Sequence, residues 1–64
     1  MPEDFKTYIN TLIAHAEKHF NLLKDSLSME EYETADFMAQ IVVLDLTKLR
    51  EVINARLIFS KKQS

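Results

Sequence analysis

His15 and His19 stand four residues apart in the run His15-Ala16-Glu17-Lys18-His19. On a helix that spacing sets both imidazoles on one side. A zinc ion accepts imidazole nitrogens, and such a pair would supply part of a tetrahedral ligand set. No third ligand follows nearby, and the glutamate does not take the place it has in the zinc-protease pattern. His19 falls among Phe5, Leu12 and Leu23, with His15 at the edge of that face. The pair therefore reads first as two partly buried histidines, hydrogen-bonded across helices. Metal binding and a pH-sensing contact are the lesser alternatives, the second because histidine titrates near neutrality. No metal and no cofactor is expected.

Glu30, Glu31, Glu33 and Asp36 form the next group that chemistry could use. They crowd a predicted helix start, where carboxylates complement the positive end of the helix dipole. No serine, histidine and acid fall into a catalytic pattern, and a chain without glycine has no glycine-rich phosphate loop. An enzyme is not expected.

Charge is unevenly spread. Residues 1–45 hold three Lys against nine Asp or Glu, a balance of −6, while residues 46–64 hold five Lys or Arg against Glu51, a balance of +4. The basic third is Lys48, Arg50, Arg56, Lys61 and Lys62, candidates for contact with a phosphate backbone. The net charge of −2 disfavours that role, and lysine also suits a helix C-terminus.

The elements that must position these residues are helices. Sixty-four residues make one domain, spanning 1–64, and a chain this short buries a small fraction of its surface. A lone domain of this size sits near the margin of stability and usually adds a staple. Cysteine is absent, so disulfides and thiolate zinc sites are excluded, and oligomerisation is the remaining staple. With no glycine and only Pro2, the turns of a β-rich fold have no supplier. The acidic start does not resemble a signal peptide, and the longest apolar run, Ile41–Leu44, is far too short to cross a bilayer. A cytoplasmic protein with no membrane association is expected.

Pro2 suits a first helical turn. Phe5, Tyr8, Ile9, Leu12, Ile13, Ala16, Phe20, Leu23 and Leu27 recur in steps of three and four and mark one face of a helix over about 3–25. Ser28 and Glu31 have the spacing of a capping box, and Leu27 and Tyr32 that of a hydrophobic staple, so a second helix is predicted over about 29–60. A break near Asp45–Thr47 would give a three-helix bundle instead. A strand at Ile41–Val43 has no turn residues to serve it.

The second helix carries more apolar surface than one neighbour can cover. One ridge is Tyr32, Ala35, Ala39, Val42, Leu46, Leu49, Ile53 and Leu57, a seam of coiled-coil type. Another is Phe37, Ile41 and Leu44, continued at Ala55 and Ile58, predicted on the far side. A short connection makes the helices antiparallel. Phe37, Ile41 and Leu44 are then the candidates for self-association. The second helix is also expected to overhang the first, exposing Val52, Ile53, Leu57, Ile58 and Phe59, with Val52, Leu57, Ile58 and Phe59 the candidates for binding a partner. The sequence thus predicts an all-α antiparallel hairpin, dimerising into a four-helix bundle, that acts as a regulator, inhibitor or chaperone-like subunit by packing on itself or another protein. A nucleic-acid-binding regulator is the alternative.

Overall fold

The structure, a computed structural model, describes the backbone of residues 2–63 and the side chains of residues 4–61. Two helices, α1 (Pro2–Ser28) and α2 (Tyr32–Gln63), make a hairpin. Its extents are 50 × 18 × 11 Å, so it is a flat rod about as long as α2 itself, near 48 Å at 1.5 Å per residue. Two contacts fix the antiparallel register. His19 meets Asp45 midway along the hairpin, and Arg56 stacks on the Phe5 ring near its open end, 5.1 Å from the centroid.

α2 is continuous through Asp45–Thr47, which removes the three-helix alternative, and Ile41–Val43 is helical. Both helices run about three residues further toward Gln63 or the turn than predicted. The reason lies in the connection. Ser28 does not cap α2; it is the last residue of α1. Glu30 takes a left-handed conformation, φ 58°. The Glu31 N–H then donates to the Ser26 carbonyl at 2.9 Å, and the Glu30 N–H donates to the Leu27 carbonyl at 3.1 Å. These two bonds define a Schellman motif, which satisfies carbonyls that a helix end would leave bare. Glu31 is the residue that precedes α2, its carbonyl accepting the Ala35 N–H at 2.9 Å. The predicted capping box and staple at Leu27, Ser28, Glu31 and Tyr32 are therefore not formed, and α2 starts three residues later than predicted. α1 needs no serine to stop it, because one left-handed residue does so.

The seam between the helices has strict heptad spacing on both sides. On α1 the residues turned inward are Phe5, Ile9, Leu12, Ala16, His19, Leu23 and Ser26, each buried or half-buried. On α2 they are Ala35, Met38, Val42, Asp45, Leu49 and Val52, with Arg56 continuing the line over Phe5. The steps alternate between three and four, the periodicity that keeps two helices in contact along their length. The predicted α2 seam is corrected accordingly. Ala35, Val42 and Leu49 hold their places, but Met38, Asp45 and Val52 replace Ala39, Leu46 and Ile53, one residue earlier and about 100° around the helix.

Candidate interaction surface

The hairpin buries little. Among the described residues only Leu12, Ala35, Met38 and Ser26 fall below a tenth of their full exposure, and no large side chain is fully enclosed. Ser26 and Ala35 are small and flank the turn, where the three-residue connection ties the helices most closely. By contrast, fifteen large hydrophobic side chains are exposed, among them Phe20, Leu44, Leu46 and Phe59. Singly scattered they would be ordinary surface, but where several adjoin along one side they mark an interaction surface.

His19 is the polar element of the seam. Its Nδ1 lies 2.6 Å from Asp45 Oδ2, with the two side chains 29% and 22% exposed. A carboxylate accepts and does not donate, so the imidazole N–H is the donor. The expected cross-helix bond is thus present at His19. His15 is exposed on the flank. Among the described residues no three His, Cys, Asp or Glu side chains converge as a metal-binding set.

The remaining predicted site residues distribute as follows. Phe37 and Leu44 lie exposed on the outer side of α2, while Ile41 is half-buried beside the seam. The second ridge is therefore not a single far-side stripe; its middle residue turns toward α1. The predicted overhang is also shorter than expected. Because Phe5 is level with Arg56, Val52 lies within the paired region and is half-buried. Leu57, Ile58 and Phe59 are exposed at the open end. The basic residues do not share a face: Lys48 and Arg50 are about 160° apart around α2. Arg56 is engaged with Phe5, and Lys61 also has an interaction. The side chain of Lys62 lies outside the described residues.

One broad side of the hairpin stands apart, and sequence reasoning missed it. Ile13, Phe20 and Leu27 follow one another at seven-residue spacing along α1, and Ala39, Leu46 and Ile53 do the same along α2. Each is the position just after an inward-turned residue. In an antiparallel pair those positions share one side, and a shallow apolar groove of about 240 Å³ lies between Ile13, Phe20 and Leu46, lined also by Ala16, Val42 and Leu49 with Glu17 at its edge. On the opposite side the equivalent positions are mixed, with Tyr8, His15 and Leu22 from α1 and Thr34, Ile41 and Lys48 from α2. The signal was the second heptad line beside the seam, and it is visible only once the seam is placed.

Among the described residues no helix is long and apolar enough to cross a membrane. Comparison with known proteins returned no match among protein-family models, curated proteins or solved structures.

Proposed function

We propose that this chain is a small non-enzymatic interaction module, a regulator, inhibitor or chaperone-like subunit that acts by packing its helices on a second copy or on a partner protein. The observation that carries the reading is the imbalance between a thin buried seam and a wide exposed apolar surface on both helices. Near 25 cal/mol per Å² of apolar burial, a two-helix hairpin alone offsets little more than its own ordering entropy, and association supplies the missing burial. A cytoplasmic setting is part of this reading.

Circular dichroism melting at protein concentrations spanning three decades tests it. A module that completes its core by association melts at higher temperature as concentration rises. A cooperative melt independent of concentration would mean that the hairpin is sufficient by itself, and the reading would fall.

A further inference from the structure

We propose that the apolar side built from Ile13, Phe20, Leu46 and Ile53 closes on a second copy of the chain in an antiparallel four-helix bundle, with the two-fold axis passing beside Phe20 and Val43. The inference rests on the interaction-module reading and names its occupant and geometry.

The charges on this side carry it. Glu17 edges the groove and Lys24 lies over the Phe20 ring, its Nζ 5.6 Å from the centroid, so both border the same apolar line. They sit three residues before and four residues after Phe20. A two-fold rotation that brings Phe20 onto its copy sets Glu17 against Lys24 of the second copy, and Lys24 against its Glu17. On α2, Asp36 and Arg50 lie seven residues to either side of Val43. The same rotation sets Asp36 against Arg50 of the second copy, and the reverse. Among the described residues Glu17, Lys24 and Arg50 have no ion-pair partner within the chain, and Asp36 is held by the Gln40 amide, which donates to its Oδ2 at 2.9 Å.

The two centres coincide, which they need not have done. His19 bonds Asp45 across the seam. Phe20 is one residue closer to the turn than His19, and Val43 two residues closer than Asp45, so Phe20 and Val43 share a height to within about 1.5 Å. One axis therefore serves both helices. It also sets Leu46 against Ala39 of the second copy, and Tyr32 against its Ile53. The alternative two-fold, with both turns at one end, turns Lys24 toward Asp36 and Glu17 toward Arg50 but leaves the pairs three and four residues out of level, about 5–6 Å along the axis. An interface that uses the same patch twice is the usual solution for a homodimer. The patch is as wide as the 18 Å hairpin and runs about 32 Å from Tyr32 to Ile53, a footprint on the scale of a standard interface.

Because the chain has no cysteine, a single engineered thiol is unambiguous. Val43→Cys sits on the axis and is expected to give a covalent dimer with a short bismaleimide, whereas Leu44→Cys, turned to the other side, is not. Sedimentation equilibrium of Glu17→Lys is expected to show a dimer Kd raised about tenfold, since two attractive rim pairs become repulsive. The double variant Glu17→Lys/Lys24→Glu restores both pairs and is expected to return the Kd to within about twofold of the parent. Helical content, followed in parallel, confirms that these exposed positions leave the fold intact. A dimer that forms without cross-linking at Val43 and without rescue in the double variant overturns this arrangement while leaving the module reading standing. A monomer whose melting is independent of concentration overturns both.

Discussion

His19 Nδ1 donates to Asp45 Oδ2 at 2.6 Å across the seam of the hairpin, and the two residues occupy positions where every neighbouring layer but the terminal ones is apolar. A polar pair in such a line fixes register: a slip of one heptad would set His19 against Met38 or Val52, leaving an unsatisfied donor in the seam. Asp45→Ala is expected to destabilise the protein by about 1 kcal/mol, the lower end for a bond to a charged group because both partners are partly exposed. Replacing both, His19→Leu with Asp45→Leu, is expected to raise the melting temperature above that of the parent, because a well-packed apolar pair often exceeds a buried polar one in stability. Thermal unfolding followed at 222 nm, about the helical minimum, separates the two; a double variant less stable than Asp45→Ala would refute the assignment of this pair to register.

Glu30 holds a left-handed backbone that costs an ordinary residue about 1 kcal/mol and glycine nothing. Glu30→Gly is accordingly expected to stabilise the hairpin by about 1 kcal/mol, and Glu30→Val to destabilise it by at least that much. Urea denaturation of the three proteins checks the order. Equal midpoints would mean that the turn is not as described.

Leu12 is one of the few enclosed side chains, 9% exposed. Leu12→Ala is expected to cost about 2–3 kcal/mol, toward the low end for such truncations because the site is open to collapse. In a hairpin of small total stability this is enough to abolish helicity at micromolar concentration and to let it return as concentration rises. A far-ultraviolet dilution series reads the result directly.

Ser26 and Ala35 are buried by being small. Ala35→Leu adds apolar surface yet is expected to destabilise by about 1–3 kcal/mol, since the helices cannot part next to a three-residue connection. Denaturant midpoints of Ala35→Leu and of Leu44→Ala, an exposed control, make the comparison.

Much of this fold is legible in the residues. The two helices, their antiparallel pairing and the neighbourhood of the break follow from the apolar steps of three and four and from the absence of glycine. The break itself was misplaced because the residue that makes it, Glu30, has none of the turn character of glycine or asparagine. The Ser-x-x-Glu spacing beside it matched a signature that the backbone does not use. The α2 seam was misplaced for a related reason. Asp45 stands in the buried line, so a reading that follows apolar residues steps aside to Leu46 and carries Ala39 and Ile53 with it. Only its partner on the other helix explains an aspartate there. His19 was recognised as a cross-helix bonding residue, but its mate lies 26 positions away and is found by the fold alone. The self-complementary side was hidden until both seams were in place, since Glu17, Lys24, Asp36 and Arg50 have no meaning as a set along the chain.

The left-handed residue at the turn also decides the topology of the whole assembly. If residues 29–31 were helical, α1 and α2 would join into one rod of about 93 Å, and each half would find its antiparallel mate only in another molecule. Ser26 and Ala35, nine residues apart, would then stand about 180° apart around that rod, so the two seams would face opposite sides and one neighbour could not cover both. The three-residue connection around Glu30 therefore does more than reverse the chain: it brings two faces that a straight helix would hold apart against each other within one molecule. The angular phase set at this turn is inherited by every surface the hairpin presents.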